Sequence, residues 1–391
     1  MKIAHISTID MALSLLLLNQ LKSLQQSGFE VVGISAPGPY LPSLGAAGIR
    51  HIPIPMKRQF TPLADLFALK QLCQVMRREQ FTIVHTHTPK AGLLGQLAAR
   101  IVGVPIIVNT LHGFYFHDHM PAFWRNFYIA TEKIAARCSH SILSQNSEDI
   151  QTAIRERISP PEKIKFLGNG IDVHRFDRAQ LSDAILDAKR RELGLTREHQ
   201  VIGFVGRLVR EKGILELFTA AQEILRHQPA TKFLIVGPID DDKADALTPA
   251  SAREYNIAEA CIFTGLRSDM PELYALMDVF VLPSHREGFP RAPMEASAMG
   301  VPCVVTDVRG CREAVEHGRN GFLFPLGDSQ KLAQAVLTLL QNADQRAQLG
   351  AAGRQLALEK FDEQHVFQMV KTEYVRLLQA RGLVVPEPAL A

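Results

Sequence analysis

The feature that most constrains this chain is an alternation that occurs twice along it. Short apolar runs bounded by Gly, Pro or Ser are separated by longer stretches with helical periodicity. Continuous apolar runs mark strands buried on both faces, and strands interleaved with helices mark βαβ units and parallel sheets. In the first half the runs are 2–7, 30–35, 51–54, 82–86, 106–109, 139–143 and 163–167, with helical patterns over 12–26, 63–79 and 92–102. In the second half they are 201–205, 232–236, 262–264, 279–282, 302–306 and 321–324, with consecutive helices over 330–342 and 344–360. The pattern predicts an α/β protein of two doubly wound parallel-sheet domains. Such sheets bind ligands beyond the carboxyl ends of their strands, which here points to a central cleft faced by both domains.

The 391 residues suit two domains. We place the first over 1–168 and a connection over 169–200, which opens on the turn residues Asn169-Gly170-Ile171-Asp172 and continues as a charged helix over 183–192. The second domain spans 201–362, and a closing helix and tail over 363–391 can pack back on the first. With 43 basic and 40 acidic residues the chain is too balanced for a dedicated nucleic-acid binder. The charge is uneven, however: residues 1–180 carry +7 and the remainder −4. Five scattered cysteines without C-x-x-C spacing fit a reduced cytosol. The apolar run Leu15–Leu18 follows His5, Ser7, Thr8 and Asp10 and precedes no cleavage site, so a strand and helix fit better than a signal peptide. No apolar stretch is long enough to span a bilayer, so any membrane contact is peripheral, on the inner face.

Two motifs in the second half carry chemistry. Gly203-Phe204-Val205-Gly206-Arg207-Leu208-Val209-Arg210-Glu211-Lys212-Gly213 runs from a buried strand into a helix. Gly206 permits close backbone approach, Arg207 offers a fork of donors and Lys212 a point charge, a set suited to a diphosphate. A solvated basic loop is the plainer account of the same charges. The second motif, Arg286-Glu287-Gly288-Phe289-Pro290-Arg291-Ala292-Pro293-Met294-Glu295-Ala296, follows another strand end. It puts Glu287 in a loop and Glu295 in the first turns of a helix, where carboxylates can accept hydrogen bonds from a sugar and a ribose.

Together with MGVPCVVTDVRGCREAVEHGRNGFLFPLGD downstream, these motifs resemble the retaining glycosyltransferases of family 4, whose GT-B fold has two Rossmann-like domains. The resemblance covers nearly the whole chain. It implies that Arg207 and Lys212 bind the donor diphosphate, Glu295 the ribose hydroxyls and Glu287 the donor sugar. Backbone groups around Phe289, Pro290 and Arg291 would lie near the phosphates, and those of Gly265-Leu266-Arg267 near the base. Many relatives have Gly-Leu where this chain has Pro290-Arg291. The implied donor is a nucleotide sugar, UDP-linked, used as substrate and without a metal or other cofactor.

In the first half, Thr110-Leu111-His112-Gly113 ends a buried run, and the family has a functional histidine at the place of His112, near the reaction centre. His85-Thr86-His87-Thr88-Pro89-Lys90 lies at another strand end; two histidines on one face suggest a metal, but no further ligand is near in sequence. Lys90 at a helix N-terminus reads better as an anion site for a lipid-linked diphosphate, with His85 beside the acceptor. HTHTPKAGLLGQLAAR and NTLHGFYFH resemble the bacterial capsule, exopolysaccharide and O-antigen branch, whose members extend lipid-diphosphate-linked saccharides. Ser14 matches a serine common in that branch. Seven aromatics crowd residues 114–128, with Arg125, Lys133 and Arg137 beside them; they dock either at an anionic membrane surface or in a helix core.

The expected activity is therefore retaining transfer of a hexosyl or N-acetylhexosaminyl group to a lipid-linked saccharide, with Arg207, Lys212, Glu287 and His112 at the reacting end. A UDP-sugar 2-epimerase shares the architecture, and an inactive nucleotide-binding relative is the non-enzymatic alternative. A nicotinamide dehydrogenase is disfavoured because Ser7-Thr8-Ile9-Asp10 replaces a G-x-G-x-x-G loop after the first strand.

Overall fold

The structure, a computed structural model, describes residues 1–117, 120–239 and 245–390. These form two units, one built from residues 1–168 and 364 onward, the other from Asn169–Glu363.

The first unit holds seven strands, β1 (Lys2–Ile9), β2 (Glu30–Ala36), β3 (Arg50–Pro53), β4 (Ile83–Thr86), β5 (Ile106–Leu111), β6 (Ser141–Ser144) and β7 (Ile164–Phe166). Their spatial order is β3-β2-β1-β4-β5-β6-β7, every pair parallel. Alternate residues feed opposite faces: Ile3, Ile83, Ile106 and Val108 join one apolar cluster, while Ala4, Ile6, Val84 and Ile107 join another. That two-sided burial is why these strands read as unbroken apolar runs. The order reverses between β1 and β4, which makes their carboxyl ends the switch point of the sheet.

The second unit repeats the plan with β8 (Gln200–Val205), β9 (Thr231–Val236), β10 (Cys261–Gly265), β11 (Val279–Leu282), β12 (Cys303–Thr306) and β13 (Gly321–Phe324). They are parallel in the order β10-β9-β8-β11-β12-β13, so the reversal falls between β8 and β11.

Two segments differ from the sequence reading. The stretch 169–200 is an integral part of the second unit rather than a free connection, because Ile171, Val173, Phe176, Leu186 and Leu195 are buried in its core. The predicted helix over 12–26 is broken: Ala12–Leu16 forms a π-turn closed by Leu17 N donating to Ala12 O at 3.2 Å, and an α-helix follows over Leu18–Gln26. The closing helix Glu363–Ala380 places Val370, Tyr374 and Leu378, four residues apart, wholly buried in the first unit's core.

Candidate functional site

In the second unit the candidate residues gather where β8 and β11 end. A 3-10 turn over Arg210–Lys212 follows β8, and Gly213 caps the helix Ile214–His227 with φ +71°. A side chain at Gly213 would put its Cβ 1.9 Å from the carbonyl oxygen of Pro283, in the loop after β11. The glycine thus holds the two loops together. A Cβ at Gly237 would sit 1.9 Å from the Gly206 carbonyl, so Gly237 lets the backbone after β9 pack directly against that of Gly206.

The result is an ion pair between Lys212 Nζ and Glu287 Oε1 at 2.5 Å, linking the two motifs. Both side chains are largely shielded, 20% and 10% exposed, so the attraction is screened less than at an open surface. Arg207 stands half-buried just beyond β8. Eight residues after Glu287, Glu295 sits in the helix Arg291–Ala298, where the Tyr274 hydroxyl donates to its Oε2 at 2.9 Å. Burial raises the Glu295 carboxyl above its ordinary range, against the opposing pull of Arg291 and the Tyr274 hydrogen bond. Tyr274, itself fully buried, was invisible to motif reading because its partner lies 21 residues away.

Pro290 is the N-cap of that helix and has no N–H, so amide donors at this end come from its neighbours Phe289, Arg291 and Ala292. The carbonyl of Phe289 accepts from Asn169 Nδ2 at 2.9 Å, and Arg291 approaches Glu363 at 3.5 Å. Leu266, just past β10, is 56% exposed and offers an apolar face beside the backbone expected to meet a base.

In the first unit the register of β1 and β4 makes His5 and His85 lateral partners, with His87 two residues on. A single hydrogen-bond chain results. Gln145 presents Oε1 to His112 Nδ1 at 3.1 Å, so His112 carries its proton on Nδ1 and its Nε2 accepts from His87 Nδ1 at 3.3 Å. His87 Nε2 must then accept from His5 Nδ1, at 2.9 Å, and His5 Nε2 from the Tyr374 hydroxyl, at 3.4 Å. Tyr374 in turn accepts from His85 Nδ1 at 2.5 Å, and His85 Nε2 accepts from Thr110 Oγ1 at 2.7 Å. One donor direction runs from Thr110 to Gln145, and turning over the Gln145 amide would reverse every proton in it. The chain requires neutral imidazoles, and burial supplies them: His112 is lowered to about 4, His5 to about 3, and His85 and His87 fall well below the usual range.

His5, His85 and His87 also bring one nitrogen each within 4.8 Å of one another, a spacing seen in metal sites. Their six ring nitrogens are, however, all in the hydrogen bonds just described. The His85 and His87 rings stack at 4.3 Å with 24° between planes, whereas lone pairs lie in the ring planes and converge poorly from stacked rings.

Three first-half expectations change. His85 is wholly buried with both ring nitrogens bonded internally, so it supports the site from within instead of meeting an acceptor. Lys90 does not face an anion: its Nζ pairs with Asp65 at 2.7 Å and also donates to Thr61 Oγ1 and the Gln59 carbonyl. Ser14 is 5% exposed and donates to the Tyr40 carbonyl at 2.9 Å. The aromatic cluster divides, with Phe114 and Phe116 buried while Phe123 and Trp124 stay exposed.

Residues 14–175 match the family described as Glycosyltransferase Family 4, and residues 187–356 that described as Glycosyl transferases group 1. The UDP-Gal:alpha-D-GlcNAc-diphosphoundecaprenol alpha-1,3-galactosyltransferase of Escherichia coli is 34% identical over 72% of each chain. The capsular polysaccharide biosynthesis glycosyltransferase CapM of Staphylococcus aureus is 30% identical over 97% of this chain and 98% of its own. Anabaena HepE, solved with UDP and glucose, superposes with a TM-score of 0.83 at 22% identity, covering 96% of this chain and all of that one. Two all-parallel α/β units with matching relatives along both halves lead to one conclusion: the chain belongs to the family 4 glycosyltransferases and has their GT-B fold.

Proposed function

We propose that this glycosyltransferase moves a hexosyl or N-acetylhexosaminyl group from a UDP-sugar to a lipid-diphosphate-linked saccharide, with retention at the anomeric carbon, in cell-surface polysaccharide assembly. The observation that carries the donor half is the Lys212–Glu287 pair at the second sheet's switch point. Lys212 and Arg207 neutralise the charge that grows on the departing diphosphate, in place of a metal ion. Glu287, already held by Lys212, accepts from donor-sugar hydroxyls. Glu295, steadied by Tyr274, accepts from the ribose, and the backbone at Leu266 meets the base. His112 positions a sugar by exchanging its longest link, the 3.3 Å bond to His87, for a substrate hydroxyl. The names of relatives support the substrate classes: the Escherichia coli enzyme names UDP-Gal and a diphosphoundecaprenol acceptor, and a Campylobacter jejuni relative also names a diphospho-undecaprenol acceptor.

Peripheral membrane contact belongs to the same reading. No helix among the described residues is long and apolar enough to cross a membrane. Yet Phe60, Leu63, Leu66 and Phe67 are 62–78% exposed, and an edge-to-face contact of 5.4 Å between Phe60 and Phe127 joins them to Phe123 and Trp124. Lys57, Arg58 and Lys70 flank this patch, and the one acid among residues 57–70, Asp65, is buried against Lys90. Apolar anchors rimmed by cations suit an anionic bilayer surface.

The test is incubation with a panel of UDP-sugars and a lipid-diphosphate saccharide, following UDP release and product mass. Acceptor-dependent UDP release with a gain of one sugar unit supports the reading; epimerisation of the donor without an acceptor contradicts it. Sedimentation with phosphatidylglycerol vesicles, lost in a Phe67→Glu/Trp124→Glu variant, tests the membrane surface.

A further inference from the structure

Beside the His87–His112 link, the first unit has a narrow pocket lined by His87, Thr88, Gln96, Asn109, His112 and Glu132. Glu132 comes from the helix Ala122–Cys138 and Gln96 from Pro89–Val102, so two packed helices and two strand ends define it. The oxygens of this lining are unevenly satisfied. Asn109 Oδ1 accepts from Thr86 at 2.7 Å. Gln96 is 1% exposed and its Oε1 is buried with no hydrogen-bond partner. Glu132 has no hydrogen bond or ion pair with any described residue. Burial, reinforced by the charge of Asp149, pushes its carboxyl up to about 7.

Among the described residues the buried Gln96 Oε1 and the half-buried Glu132 carboxyl have no donor, a pair that suits a ligand bringing O–H groups. The same lining disfavours a phosphate. Lys90, on the helix that supplies Gln96, is committed to Asp65, and the imidazoles of His87 and His112 are neutral. A single sugar edge suits so narrow a space, whereas a diphosphate would bring charge against Glu132 with nothing to offset it.

We propose that Glu132 and Gln96 form a hydroxyl-reading subsite that binds the acceptor saccharide through its sugar hydroxyls and leaves its diphosphate outside. This rests on the acceptor being a saccharide, as proposed above. The subsite explains why a carboxyl without a described partner is kept half-buried beside an orphaned amide oxygen: the protein gives up stability there for a ligand that supplies the missing donors.

The experiment compares wild type, Glu132→Gln and Gln96→Leu with a short-chain lipid-diphosphate N-acetylglucosamine as acceptor. Both substitutions are expected to raise acceptor KM at least tenfold while donor KM and acceptor-independent UDP-sugar hydrolysis stay within twofold. Both variants should melt no lower than wild type, because each removes a poorly satisfied buried oxygen or its charge. Unchanged acceptor KM in both variants overturns the proposal. A second arm needs no turnover: binding of methyl N-acetyl-α-glucosaminide in the presence of UDP, followed by saturation-transfer NMR. Binding to wild type that Glu132→Gln abolishes supports the subsite; equal binding by the two, or by neither, overturns it. Failure of wild type to turn over any lipid-diphosphate acceptor would instead count against the transfer reaction.

Discussion

The Tyr374 hydroxyl lies 2.5 Å from His85 Nδ1 across 289 residues of sequence, both groups wholly buried in the first unit. The phenol also donates to His5, so it is the joint between the two halves of the histidine chain. Tyr374→Phe keeps the ring and leaves His85 Nδ1–H and His5 Nε2 without a partner. An unsatisfied buried polar group costs about 1–3 kcal/mol. For units of this size that is on the order of 2–4 °C in Tm per kcal/mol. Thermal unfolding by circular dichroism checks it, and a Tm equal to wild type would mean that the bond carries no net stability.

The same chain sets an acid limit. His5, His85, His87 and His112 are all depressed in the folded protein, so the unfolded chain binds more protons as pH falls. Their contribution is complete above the ordinary histidine value of about 6.5. It is lost progressively as pH falls through about 4 for His112 towards about 3 for His5. Urea midpoints should therefore be flat from pH 8 to about 7 and decline steadily below about 6.5. A midpoint that stays level down to pH 5 would contradict neutral burial of the four rings.

At the donor end, Lys212→Ala removes one cation and strands Glu287, whose only described ion pair is with Lys212. Loss of one preorganised group facing developing charge costs about 10²–10³ in kcat. The expected outcome is a drop of that order in UDP release with the fold intact, and less in Lys212→Arg, which keeps the charge. Turnover within threefold of wild type in Lys212→Ala would remove Lys212 from the diphosphate site.

Local signals explain what the sequence made legible. Parallel strands buried on both faces announce themselves as apolar runs, and Arg207, Lys212 and Glu287 in loops and turns, with Glu295 in the first turns of a helix, keep spacings fixed within each motif. Partnerships set by register are silent. His5 gains His85 because β1 pairs with β4, and Lys90 meets Asp65 across two packed helices, which turned an apparent anion site into an internal ion pair. Glu132 next to Lys133 reads as an ordinary charged helix face until the helix is docked. The aromatic run divided because its first members, Phe114 and Phe116, lie in the loop after β5 and pack into an apolar cluster, whereas Phe123 and Trp124 lie on the exposed first turn of the helix that follows.

The last prediction concerns Tyr274 and Glu295. Within the second unit the phenol is the hydrogen bond that favours the ionised form of a carboxyl which burial otherwise pushes up. Tyr274→Phe should raise the Glu295 pKa further and leave less carboxylate to accept the ribose hydroxyls. A hydrogen bond to a charged group contributes about 1.5–3 kcal/mol, equivalent to roughly a 10- to 150-fold increase in Kd. Calorimetric titration with UDP should show a loss in that range, larger at pH 6 than at pH 8, because the sign of the shift favours the protonated, non-accepting form as pH falls. Glu295→Gln should weaken UDP as well, but with little dependence on pH, since no titrating carboxyl is left. A Tyr274→Phe affinity equal to wild type at both pH values would separate Glu295 from the ribose and leave the Tyr274 bond a matter of packing alone.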